Sequence, residues 1–208
     1  VDPRQLLPSA RSILCVGKLY QTNHPATNPA LHEGWISRYA WGDDYHDVVR
    51  LALENVVARL AAFATFEYRV CVDTAPLLER SLARQAGLGW IGKNTCLINQ
   101  QQGSWFFLGE LLLSLDLAPD PPPPGRCGTC TRCIDACPTH AIIPDGNGQF
   151  QLDARRCISY FTIELKGDVP QEHREAIGTH VFGCDICQDV CPWNRRAPST
   201  TDPAFEPR

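Results

Sequence analysis

The spacing of apolar positions changes character several times along the first half of the chain. ILCVGKLY (13–20) is nearly continuous in apolar residues and predicts a buried strand. Residues 47–63 place apolar side chains at 49, 53, 56, 57 and 60, which is a helix period. YRVCV (68–72) predicts a short second strand and runs into Asp73, Thr74 and Pro76. Residues 76–87 then predict a helix, with Asp73 or Thr74 as candidate cap and Gly87 as terminator. TCLIN (95–99) and SWFFLGELLLSLDL (104–117) flank QQQG and predict a hairpin. Strand, helix, strand, helix and hairpin in that order predict an α+β or layered α/β domain over residues 1–118.

APDPPPPG (118–125) breaks this pattern. Its five prolines cannot continue a helix or a central strand, so residues 119–125 are expected to form a stiff linker. After it, cysteines, glycines and charges replace the long apolar runs. A segment with so little apolar material needs another source of stability, and bound metal would supply it. Residues 126–194 are therefore expected to be a second, metal-stabilised domain, with 195–208 a tail that opens a further region.

Composition narrows the class. The 208 residues are 44% hydrophobic, enough for a buried core, and the net charge of -4 excludes a generally polybasic chain. There is no apolar stretch of 18 residues to predict a membrane span and no signal pattern at the N-terminus, so a cytoplasmic location is expected. The chain has 11 cysteines. Seven fall in two compact clusters with Cys157 between them, while Cys15, Cys71 and Cys96 stand alone in apolar surroundings. Clustering without an export signal favours metal ligation over a disulfide framework.

Cys127, Cys130, Cys133 and Cys137 follow C-x2-C-x2-C-x3-C-P, the bacterial ferredoxin spacing, in which the fourth cysteine serves the other cluster. CDICQDVCP (184–192) supplies Cys184, Cys187 and Cys191 and lacks one cysteine of the full pattern. Cys157 is left to complete eight. Crossed ligation then predicts two 4Fe-4S clusters, the first held by Cys127, Cys130, Cys133 and Cys191, the second by Cys137, Cys157, Cys184 and Cys187. The competing reading is a pair of zinc sites, which take tetrahedral ligand sets drawn from separated pairs. Two neighbouring clusters form a one-electron relay, so the electrons should be used in the first domain.

That domain offers no G-x-G-x-x-G after a strand. GLGWIGKN (87–94) permits close approach of a large ligand or serves as a helix end and turn. Asp73 stands at a strand end, as catalytic carboxylates do, and as helix caps do. ISRYAWGDDYH (36–46) gathers amphipathic side chains suited to a flat ligand or to a surface loop. His46 follows D-x-H, but position 49 is Val where the cobalamin-ligating pattern D-x-H-x-x-G has glycine.

These segments together resemble the epoxyqueuosine reductases. ISRYAWGDDYH, VDTAPLLERSLARQAGLGWIGKNT, GSWFFLGELLL, CGTCTRCIDACPTHAI and FGCDICQDVCPWN carry the resemblance across most of residues 11–194. It implies an α+β, cobalamin-binding layered domain related to that of reductive dehalogenases, with a ferredoxin-like double-cluster domain packed on it. It implies reduction of epoxyqueuosine to queuosine at the tRNA wobble position, at cobalamin fed by the clusters. The family's proton donor falls on Asp73, whose pKa burial should raise for that role. Cobalamin is expected base-off, with no protein histidine on cobalt. Arg38, Tyr39, Asp44, Tyr45, Lys93, Asn94 and Leu97 are the candidates for its pocket. The expected partners are tRNA carrying epoxyqueuosine and an external electron donor, with the chain itself a monomer away from the membrane. Relative to the family both ends look short. Arg155, Arg156, Lys166, Arg174, Arg195 and Arg196 are the candidates for a phosphate-binding patch in an acidic chain. A dehalogenase-like enzyme and a non-catalytic electron-transfer module are the alternatives.

Overall fold

The computed structural model describes residues 2–24 and 33–208. Its elements in chain order are β1 (Ser12–Leu19), β2 (Trp35–Ile36), α1 (Tyr45–Leu60), β3 (Tyr68–Cys71), α2 (Glu79–Gln85), β4 (Trp90–Ile91), β5 (Leu97–Ile98) and β6 (Phe106–Leu113). The second half adds α3 (Arg132–Asp135), β7 (Ile142–Pro144), β8 (Phe150–Leu152), α4 (Gln171–Ile177), β9 (His180–Phe182) and α5 (Ile186–Asp189). A five-residue π-helical turn, Tyr160–Glu164, lies between β8 and α4.

β6 is the middle of a three-stranded antiparallel sheet in the order β1-β6-β3. Being covered on both faces, it shows a nearly continuous apolar run rather than alternation. Phe107, Leu111 and Leu113 point to one face and pack with Val49, Leu53 and Val57 of α1. Phe106 and Leu108 point to the other, beside Cys15, Ala83 and Leu97 under α2. The observed α+β layering agrees with the sequence.

Two local expectations need correction. The 95–99 and 104–117 segments do not form a hairpin; a single bridge, Asn99 to Gly103, joins them. β5 pairs with β4 instead, and both edges of β6 are already taken by β1 and β3. α2 begins at Glu79 with Leu78 in the cap position and no side-chain cap, so neither Asp73 nor Thr74 caps it. Tight turns across Val72–Thr74 and Ala75–Leu77 occupy the intervening chain. The helix end does match, because Gly87 follows it at φ +83°.

The two halves interlock. Trp35–Ile36 of the first half pairs in parallel with β9 of the second. Asp185, 1% exposed, accepts hydrogen bonds from Ser37 Oγ, from Arg38 N at 2.9 Å and from Arg38 Nη1 at 3.4 Å. Asn194 Oδ1 accepts from Ser104 N at 2.7 Å, and Asn194 Nδ2 donates to Gln188 O at 2.8 Å. Gly103 sits against Asn194 at φ +70°, where a Cβ would run into the amide oxygen.

Residues 195–208, expected as a tail, are built into the first domain. Phe205 is 3% exposed and packs on Phe107 with ring centroids 5.5 Å apart. Lys18 pairs with Asp202 at 2.6 Å, and Thr200 N donates to Gln21 O. Phe205→Ala is therefore expected to destabilise the folded chain by about 3–4 kcal/mol in denaturant unfolding. Phe63→Ala, at a position 87% exposed, is expected to stay within about 0.5 kcal/mol.

Candidate iron–sulfur and cofactor site

The eight cysteines separate into two groups of four. Cys127, Cys130, Cys133 and Cys191 line a cavity of about 260 Å³ together with Asn94 and Trp193. Cys137, Cys157, Cys184 and Cys187 line a second, of about 210 Å³, together with Asn94, Arg80, Cys96 and Gln188. Each set of four named from the crossed spacing thus lines one of the two cavities. Short helices turn the sulfurs inward: α3 carries Cys133, and α5 carries Cys187. Among the described residues no three His, Cys, Asp or Glu side chains close around a single ion.

Burial disfavours the charged form of several of these thiols. Burial, aided by neighbouring cysteines, pushes Cys133 up to about 11. Burial is also the main cause that raises Cys184 to about 12, with Cys187 and Cys157 adding to it. A thiolate set here therefore needs a cationic guest.

A third cavity, of about 260 Å³ and wide-mouthed, adjoins the second. Tyr39, Tyr45, Leu97 and Phe107 give it an apolar, flat-faced wall, and Arg80, Cys96 and Gln188 are shared with the second cysteine cavity. Asn94 is likewise shared by the two cysteine cavities. The three spaces thus lie in series, the first two sharing Asn94 and the last two sharing Arg80, Cys96 and Gln188.

Of the residues proposed for the corrin pocket, Tyr39, Tyr45 and Leu97 line this third cavity. Lys93 and Asn94 do not; they belong to the cysteine cavities. Lys93 Nζ donates to Gly128 O and Cys130 O, both at 2.9 Å, and Asn94 Nδ2 donates to Cys187 O at 3.3 Å. Arg38 is bound into the seam, paired to Asp189 at 2.6 Å and stacked over Trp105 at 4.7 Å. Asp44 caps α1 by accepting from His46 N. The glycines of GLGWIGKN face the chain itself: a Cβ at Gly89 would meet Ile98 O, and one at Gly92 would meet the Ile98 side chain.

Asp73 stands beside Tyr45, which lines the third cavity, in a turn at φ +53°, a conformation that is strained for a residue with a side chain. Its side chain is 59% exposed, so the burial expected for a proton donor is not supplied by the folded chain. The negative charge of Asp73 reaches Tyr45, whose phenol is raised first by burial and then by that charge. His46 bridges two carboxylates, with Nδ1 at 2.7 Å from Asp44 Oδ1 and Nε2 at 3.4 Å from Asp73 Oδ2. Burial works against the charged imidazole, but the hydrogen bonds to Asp44 and Asp73 outweigh it and raise the pKa. The D-x-H pattern contained this pair, but its other end, Asp73, is distant in sequence.

Sequence reading missed a further carboxyl pair. Glu110 lies in the centre of β6, fully buried, in register between Cys15 of β1 and Cys71 of β3. Neither of its carboxyl oxygens has a hydrogen-bond partner. Burial, then the charge of Glu79, pushes it up to about 8. Glu79 is also raised, mainly by burial, although the hydrogen bond it accepts from Asp73 N at 2.6 Å works the other way. Nothing in FFLGELLL marks its glutamate as buried except the apolar run around it.

A double-cluster iron–sulfur protein with an adjoining aromatic cavity is the class that this arrangement defines. The family model described as "4Fe-4S double cluster binding domain" matches residues 126–194, and "Epoxyqueuosine reductase QueG, DUF1730" matches residues 1–74. The epoxyqueuosine reductase of Xanthomonas campestris pv. campestris is 50% identical over 99% of this chain and 58% of its own length. That of Synechocystis is 46% identical over 98% of this chain and 70% of its own. A crystal structure of epoxyqueuosine reductase with an epoxyqueuosine-modified tRNA stem loop covers the whole chain at a TM-score of 0.90 and 37% identity, the chain spanning 55% of it. The chain belongs to the epoxyqueuosine reductase family, and it spans less than two thirds of the length of several of these relatives.

Glu110 gives the fold a pH signature. Its folded pKa lies above the ordinary 4.5, so the folded state holds the proton more tightly than the unfolded chain. The resulting stability is complete below pH 4.5 and is lost as pH rises toward about 8. The slope over that window is expected to approach ~1.4 kcal/mol per pH unit. Glu110→Gln is expected to remove this slope in denaturant unfolding of the iron-loaded protein between about pH 5.5 and pH 8.

Proposed function

We propose that this chain carries the reductive centre that converts epoxyqueuosine to queuosine at the wobble position of tRNA. The observation that carries the reading is the run of three neighbouring cavities, two lined by four cysteines each and the third lined by Tyr45, the neighbour of Asp73. The solved relative with a modified tRNA stem loop supports the substrate.

Conversion of an epoxide to an alkene consumes two electrons and two protons and releases water. The reading assigns the first cluster to Cys127, Cys130, Cys133 and Cys191, and the second to Cys137, Cys157, Cys184 and Cys187. Their all-thiolate donor sets fit 4Fe-4S clusters. Tyr39, Tyr45 and Leu97 present the flat, apolar wall that one face of a corrin requires. Cobalamin held there supplies a strongly reducing nucleophile.

Asp73 donates the proton to the leaving epoxide oxygen, and His46 restores it through the Nε2 contact. Because Asp73 is exposed in the chain itself, substrate and cofactor must cover it to exclude water. A Bacillus subtilis relative, 36% identical at a TM-score of 0.88, has been solved with its catalytic aspartate loop swung out of the active site. That precedent supports a loop that closes on substrate.

The reading requires an external electron donor to reduce the clusters. No helix among the described residues is long and apolar enough to cross a membrane. The reading places the protein in the cytoplasm, where its tRNA substrate resides.

The test is anaerobic single turnover of epoxyqueuosine-containing tRNA by protein reconstituted with iron, sulfide and cobalamin. Queuosine is the expected product. Cobalamin binding without queuosine would overturn the reading. Asp73→Asn is expected to keep bound cobalamin and lose at least about 100-fold in turnover, the scale of a lost general acid. Cys157→Ala is expected to lower bound iron from about eight to about four per chain, and iron unchanged near eight would remove Cys157 from the ligand set.

A further inference from the structure

Glu110 and Glu79 lie outside the machinery described so far, and their placement demands a reason. A carboxyl group fully buried in the middle of a sheet, with another carboxyl, Glu79, as its polar neighbour and no donor group facing either oxygen, is a costly feature for a fold to keep. Apolar residues hold the remaining β6 positions that pack against α1 and α2. Glu110 faces Cys15 of β1, Cys71 of β3 and Glu79 of α2. Beyond Glu79 stand Asp73 and His46, and Asp73 in turn neighbours Tyr45, which lines the third cavity. Glu79 is the first residue of α2, and its Oε1 accepts the Asp73 backbone N–H at 2.6 Å. That bond is made at the centre of the positive-φ turn, where Thr74 N also folds back to Val72 O.

We propose that Glu79 and Glu110 form a carboxyl pair holding one proton between them, and that this pair positions the turn carrying Asp73. The protonated Glu110 donates toward one Glu79 oxygen and leaves the other to accept from Asp73 N. The strained turn is then held from beneath the sheet rather than by the cavity above it. The pair would act as a latch on the loop. If both carboxyls ionise, two like charges face each other in a dry site, and the latch loosens. Burial raises both groups, which keeps one proton on the pair at neutral pH. Glu79 and Glu110 are positioning residues here, since neither touches the third cavity among its lining residues. The inference rests on Asp73 acting as the proton donor of the proposed reaction.

The test uses the reconstituted holoenzyme and two readouts. The first is hydrogen exchange protection of the Asp73 amide, which needs no turnover. The second is single-turnover rate against pH with pre-reduced enzyme and epoxyqueuosine tRNA. In the wild type, protection and rate are expected to fall together from pH 7 to pH 9, the rate by up to about tenfold for one ionisation near 8. In Glu110→Gln, whose side chain is neutral throughout, that alkaline fall is expected to vanish from both readouts. Glu79→Ala is expected to lose protection at Asp73 at every pH, and Glu79→Gln, which keeps an acceptor, to restore part of it. Wild-type protection at Asp73 in Glu79→Ala would overturn the proposal, as would an alkaline fall that persists in Glu110→Gln. If the wild type makes no queuosine, the functional reading fails, and the exchange measurements still decide the carboxyl pair.

Discussion

A buried carboxylate sets how the two halves of the chain meet. Asp185 is withdrawn from water at the seam and is satisfied wholly by the other half, through Ser37 and the backbone and side chain of Arg38. Burial raises its pKa against the pull of those donors, so losing them would leave an unpaired buried acid. Because it sits between Cys184 and Cys187 in sequence, its position also fixes the second cysteine cavity. The same seam brings Gln188 and Cys96 to the wall between that cavity and the aromatic one. Electron transfer depends on short separations, and here those are set by a few hydrogen bonds rather than by the linker.

The second half could not supply such precision alone. Its own buried apolar cluster is Ile158, Phe161 and Ile177, with partly buried neighbours. Its helices are short, four residues in both α3 and α5. Elements of that length do not hold their shape by propensity. Metal ligation and docking on the first half must do so, and the parallel pairing of β2 with β9 and the packing of residues 195–208 make that docking extensive. The turn carrying Asp73 shows the opposite design, strained, exposed and anchored at few points.

Much of this was legible in the chain. The strands at 12–19 and 68–71 and the helix at 45–60 follow apolar periodicity, and their limits shift by a few residues at most. The cysteine division was readable because the spacing rule is a local geometric constraint whose partners can be counted. The failures share a cause. The 95–117 hairpin looked local, but β6 was claimed by strands far away in sequence. Lys93 and Asn94 looked like pocket residues from their neighbours, yet they bond to Gly128, Cys130 and Cys187 across the seam. Glu110 and His46 gain meaning only from tertiary partners, which no periodicity encodes. Phe205 was read as part of a tail because a lone aromatic in a polar stretch carries no pattern.

The central claim is the series order: first cluster, second cluster, then the aromatic cavity beside Asp73. It is tested most directly by electron paramagnetic resonance of reconstituted protein, with both clusters reduced and cobalamin in its paramagnetic cobalt(II) form. The account predicts spin coupling between the two clusters and a stronger coupling of cobalt to one of them, which Cys157→Ala should abolish while sparing the other cluster's signal. Cobalt coupled instead to the cluster that survives Cys157→Ala, or two clusters without mutual coupling, would contradict it.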